Sequence, residues 1–70
     1  MNEVFVLTVS FGGDVDTRVF RTRSAADAAF VETIRDAEQY FGGDLTEAIE
    51  DDAVYYADFS AKVEELEVEG

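Results

Sequence analysis

The sequence predicts an α+β domain, a small antiparallel sheet with helices packed on one face in the order β-β-α-α-β, and three observations carry that reading. Residues 3 to 11 alternate apolar side chains at period two; Ala26, Phe30, Ile34, Ala37 and Phe41 recur at spacings of three and four; and Gly12-Gly13 and Gly42-Gly43 punctuate the two patterns. Seventy residues allow one domain, residues 1–70, and a chain this short hides only about 60% of its unfolded surface. That leaves little room for a deep catalytic cleft.

In the first strand Phe5, Leu7, Val9 and Phe11 share one face, with Val4, Val6, Thr8 and Ser10 on the other. Gly12-Gly13-Asp14 tolerates positive φ, so residues 15 to 22 return as a second, half-exposed or edge strand of a hairpin. Ser24 with Asp27 resembles a capping box and opens a helix over residues 25–41, which Gly42 ends. Asp44 with Glu47 reads as a second N-cap, starting a helix through Leu45, Ala48 and Ile49 to Tyr55 or Tyr56. Tyr55, Ala57, Phe59, Ala61 and Val63 alternate like a strand while Tyr55, Phe59, Val63 and Leu66 fit a helical stripe, which leaves residues 50 to 60 open between helix and strand. The reading adopted is helix to Tyr56, then a strand from Phe59 to Glu69 with a β-bulge at Glu64-Glu65, which would turn Ala61, Val63, Leu66 and Val68 all inward. Phe5, Leu7, Val9, Phe11, Phe30, Ile34 and Phe41 form the expected core.

Chemistry is narrowed by what the chain lacks. With no His and no Cys there is no imidazole base, no thiol nucleophile and no thiolate metal site, so the protein is expected not to be an enzyme and to need no cofactor. Asp44, Glu47, Glu50, Asp51 and Asp52 crowd together without the spacing of an EF-hand loop, which suits loose cation association and not a dedicated metal site. Tyr40, Tyr55 and Tyr56 fit either packing with a wet hydroxyl or anchoring at an interface. The N-terminus shows no signal-peptide pattern and no apolar run is long enough to span a bilayer, so a cytoplasmic location is expected.

Charge is the outstanding feature. The net charge is −12, and its distribution is uneven: residues 1–35 carry a net of −1 and residues 36–70 a net of −11. Direct nucleic-acid binding is disfavoured, because phosphate affinity comes from Lys and Arg, and an anionic membrane surface would repel the chain. The acidic half instead suits a nucleic-acid-binding partner protein, whose basic groove Asp44, Glu47, Glu50, Asp51, Asp52, Asp58, Glu65, Glu67 and Glu69 would occupy. Alternate strand residues lie about 6.6 Å apart, so Glu65, Glu67 and Glu69 make a row of about half the charge density of a DNA strand, one charge per about 3.4 Å. A second row is expected from Glu47, Glu50, Asp51 and Asp58. The alternative is a small regulatory or structural protein of an acid-rich, halophilic proteome, whose charge serves solubility. A homodimer through Val4 and Val6 is left open.

The chain resembles the small acidic proteins of phages and mobile elements, in which a strand hairpin, here VFVLTVSFGGDVDTRVFRT, precedes helices and a closing strand, here FSAKVEELEVEG. Some inhibitors of that class, anti-CRISPR proteins among them, imitate nucleic acid in charge and block a guide-RNA surveillance complex. The resemblance implies inhibition of CRISPR-Cas machinery in the host cytoplasm and carries no individual contact residue across.

Overall fold

The computed structural model describes residues 2–68. β1 (Asn2–Phe11) and β2 (Asp14–Phe20) pair antiparallel from Phe5↔Phe20 to Phe11↔Asp14. Gly12 and Gly13 hold φ of 59° and 93°, the left-handed pair that a tight two-residue hairpin turn requires. The helix α1 (Arg23–Phe41) begins two residues earlier than the sequence predicts. Its N-cap is Thr22, whose Oγ1 accepts from the Ala25 N–H at 3.1 Å, while Ser24 lies inside the first turn. Gly42 closes it at φ 74°, its N–H donating to the Glu38 carbonyl at 2.8 Å.

After Gly43 the expected architecture fails. No second α-helix forms among the described residues. A short 3₁₀ turn, Thr46–Ala48, leads into β3 (Ile49–Glu50), β4 (Ala53–Tyr56) and β5 (Phe59–Val68), all antiparallel. Among the described residues the element order is β-β-α-β-β-β, one five-stranded antiparallel sheet in the order β2-β1-β5-β4-β3 with a single α-helix, and this overturns β-β-α-α-β with two helices on the sheet. Asp51 and Asp52 decide the matter locally: at φ 53° and 60° they reverse the chain in two residues, a conformation that Asp tolerates better than most side chains. The reversal sets Ile49 against Val54 and Val54 against Ala61, so Val54 is fully buried.

β5 also differs from expectation. It pairs with β1 in one unbroken register from Phe11↔Phe59 to Asn2↔Val68, with no bulge at Glu64-Glu65. Phe59, Ala61 and Val63 face the helix and are buried; Leu66 and Val68 fall on the opposite, open face and are exposed. The core lies between α1 and the sheet, from Ala26, Ala29, Phe30, Ile34 and Ala37 on the helix to Phe5, Leu7, Val54, Phe59, Ala61 and Val63 beneath, with Leu45 plugging the side. Val9, Phe11 and Phe41 pack against it half-buried. It stops at the level of Phe5 and Glu65, so β1 and β5 run on as a two-stranded ribbon with acids on one face (Glu3, Glu65, Glu67) and Val4, Leu66 and Val68 on the other.

Candidate functional site

The carboxylates expected to form one surface are divided by the fold into three groups. The first is gathered by the β4–β5 ladder. The Val63 N–H donates to the Asp52 carbonyl at 2.9 Å, and Ala53 pairs with Lys62, which sets the Glu50-Asp51-Asp52 turn beside Glu64 and Glu65. Glu50 and Glu64 fall on the open face, where with Asp51, Tyr55 and Lys62 they line a shallow depression. Glu65 and Glu67 continue along β5 on the helix side, and Glu3 stands directly opposite Glu67. Glu3 and Glu64 were not among the expected site residues; the register of a strand pair, which brings them in, is not written in either segment alone. Glu69 lies outside the described residues.

The second group is Asp44 and Glu47, in the segment that leads from α1 to β3. Asp44 Oδ1 accepts from the Thr46 N–H at 2.8 Å, and hydrogen bonding from Thr46, side chain first and then backbone, holds its carboxyl below the ordinary 3.8. Glu38 accepts from the Leu45 N–H at 2.8 Å and so fixes the same loop from the helix. Asp44 and Glu38 are thus tied into local structure, and Glu47 is exposed in the 3₁₀ turn. Asp58 stands alone as the third, at the opposite end of β5, where its carbonyl accepts from the Gly12 N–H at 3.3 Å. It is about 30 Å from Glu67 along nine strand residues. The second charge row expected from Glu47, Glu50, Asp51 and Asp58 therefore does not form, because the helix that would have aligned the first three is absent and Asp58 sits at the far end. The cross-strand neighbour of the β5 row is Glu3.

Few bases offset the first group. Arg23 pairs with Asp52 and reaches Asp27 at 3.8 Å. Lys62 binds Glu64 at 2.9 Å, and that hydrogen bond, with the Glu64 charge, raises it above its ordinary 10.5. Glu50, Asp51, Glu65, Glu67 and Glu3 have no ion-pair partner among the described residues. No cluster of three or more carboxylates among the described residues is close enough to hold a metal ion.

The tyrosines separate. Tyr40 stacks edge-on against Phe11 at 4.9 Å and Tyr56 against Phe41 at 4.9 Å, both packed yet exposed at the rim of the core. Tyr55 is 69% exposed on the open face beside the acidic depression. A groove of about 380 Å³ also opens between α1 and β2, floored by Leu7, Val9 and Phe11 and edged by Asp16, Arg18 and Asp36. It exists because α1 lies over β1 and β5 and leaves β2 uncovered; the polar residues at every second position of β2 are its signal in the sequence.

No helix among the described residues is long and apolar enough to cross a membrane. In comparisons with known proteins, the chain matches no family model, no curated protein and no solved structure.

Proposed function

We propose that the protein is a non-enzymatic inhibitor that lays its acidic β3–β5 edge into the nucleic-acid-binding groove of a partner protein in the cytoplasm, with a guide-RNA-loaded CRISPR-Cas complex as the target class that its resemblance implies. One observation carries the reading: the β4–β5 register sets the Glu50-Asp51-Asp52 turn beside Glu64 and Glu65, and Glu67 and Glu3 continue the acids along the ribbon, so carboxylates from three chain segments gather on the two faces of one end of the sheet, with only Arg23 and Lys62 paired to them among the described residues. Carboxylates held on paired strands lose little freedom on binding, and an unbalanced negative edge steers encounter with a basic groove.

The test is competition. A purified guide-RNA-loaded complex with fluorescent target DNA is titrated with the protein, and displacement is expected to weaken as salt rises. Reversing Glu50, Asp51, Glu65 and Glu67 to Lys should abolish displacement, whereas reversing Glu32 and Asp58, which lie off the edge, should leave it intact. Equal loss from both sets would show that net charge alone is read, and no displacement by an excess of protein would remove this target class. Exposed Asp14, Glu32 and Asp58, which take no part in the edge, favour a second reading in which the charge serves solubility in a salty cytosol.

A further inference from the structure

β2 is the long open edge of the sheet. β3, the other edge, is two residues long, whereas β2 offers seven residues with one side unpaired. Such an edge presents a row of free N–H and C=O groups that template another strand. The Phe11/Asp14 pair flanks a two-residue turn and therefore exchanges hydrogen bonds, so by the alternation of an antiparallel ladder Asp14, Asp16, Arg18 and Phe20 point their backbone groups at β1. Val15, Thr17 and Val19 point theirs outward, and the two valines are 66% and 62% exposed.

We propose that β2 pairs with β2 of a second copy of this chain, antiparallel and centred on Thr17, joining two five-stranded sheets into one continuous sheet. The segment Val15-Asp16-Thr17-Arg18-Val19 is self-complementary in that register. Thr17 faces its own copy, Val15 faces Val19 twice on the open face, and Asp16 faces Arg18 twice on the helix face. Thr–Thr and opposite-charge pairs are among the favourable cross-strand neighbours. Outward backbone groups at 15, 17 and 19 meet their equivalents, so the ladder closes with no donor misplaced. A two-residue slip either way sets Asp16 against Asp16 or Arg18 against Arg18, and charge thereby selects the register. Diagonally, Asp14 adds a second carboxylate near the incoming Arg18.

The net charge of −12 does not oppose this join, because the acids of β3 lie on the far side of the sheet and those of the β1–β5 ribbon project past the end of β2. β3 is four strand spacings from β2, about 19 Å, so the two β3 edges stand more than about 40 Å apart, and Glu3 and Glu67, five residues past the level of Thr17, leave the antiparallel join in opposite directions about 30 Å apart along the strands. Both separations are several times the Debye length of about 8 Å at 0.15 M salt. The pairing is a single strand wide and falls in the class of interfaces below about 1,200 Å² that associate weakly. Dimerisation is thus concentration-dependent.

Sedimentation equilibrium of the full chain from micromolar to millimolar concentration should show the mass climbing from 7.7 kDa toward twice that value. Arg18→Asp makes the strand acidic at both central positions and Asp16→Arg makes it basic, so each variant alone should stay monomeric where the parent is dimeric. An equimolar mixture of the two restores both charge pairs and should recover the doubled mass. A parent that remains at 7.7 kDa throughout, single variants that dimerise like the parent, or a mixture that stays monomeric would each overturn the proposal.

Discussion

Ala57 sits at φ 52° in the two-residue connection between β4 and β5, a left-handed conformation that costs a residue without a polar side chain roughly 1–2 kcal/mol. Glycine removes that cost and returns about 0.4–1 kcal/mol of it through its freer unfolded chain. Ala57→Gly should therefore stabilise the fold by about 0.5–1 kcal/mol, read as a higher urea midpoint. Asp51 and Asp52 occupy the same region and explain why this stretch could not be read from the sequence. Asn-Gly or Asp-Gly announces a hairpin, whereas Asp-Asp after an N-cap-like Asp44 reads as the acidic first turns of a helix. Asp44 carries a pH prediction. Its folded-state pKa is depressed by Thr46, so its stabilising effect is complete above its ordinary value of 3.8 and disappears as pH falls through the lower folded value. Asp44→Ala should lower the melting temperature at neutral pH, and the gap to the parent should close as the pH drops well below 3.8. A gap that is constant with pH would assign the loss to the turn backbone and not to the carboxylate.

Elements were legible where one periodicity ran long enough. β1 and the buried face of α1 follow from alternation and from the Ala26-Phe30-Ile34-Ala37 stripe, because nine or more residues of one pattern leave no competing reading, and the Gly12-Gly13 turn returns the seven-residue β2 beside β1. The acids were legible in number but not in place, since their grouping depends on the β4–β5 register and not on spacing within either segment. β5 was legible as a strand and misread in phase. A bulge would have turned Leu66 and Val68 to the helix side, but α1 starts only at Arg23 and the core ends at Phe5, so no apolar surface waits there, and an unbroken ladder to β1 is kept instead. Val4 then takes Leu66 as its cross-strand partner. The unbroken register has one unfavourable consequence, the Glu3–Glu67 pair of like charges directly opposite each other. Glu67→Lys should exchange repulsion for attraction and stabilise the protein by about 0.2–1 kcal/mol at low ionic strength. The gain should shrink in high salt; an equal gain at all ionic strengths would point to strand propensity.

Across the whole molecule, charge and architecture are offset: the acids crowd the β3 side and the β1–β5 ribbon, while β2 carries Asp14 and Asp16 against Arg18. Carboxylates in the acidic edge are spaced by strand geometry at about 5–7 Å. At 0.15 M salt the Debye length of about 8 Å exceeds that spacing, so the repulsion persists; at 1 M it is about 3 Å and the repulsion is screened. Between these limits the folded state should gain stability modestly, with the urea midpoint rising while the cooperativity of unfolding stays the same. A core of twelve buried apolar residues among those described, closed by α1, should nevertheless hold the fold at 0.15 M. A protein whose acids serve solubility in brine should instead need molar salt to fold. Urea titrations at 0.05, 0.15 and 1 M sodium chloride, at one protein concentration low enough to keep the chain monomeric, separate the two. Cooperative unfolding already complete at 0.15 M without urea would sink the inhibitor reading, since an acidic edge can occupy a basic groove only where the sheet that carries it is folded and the attraction is not yet screened.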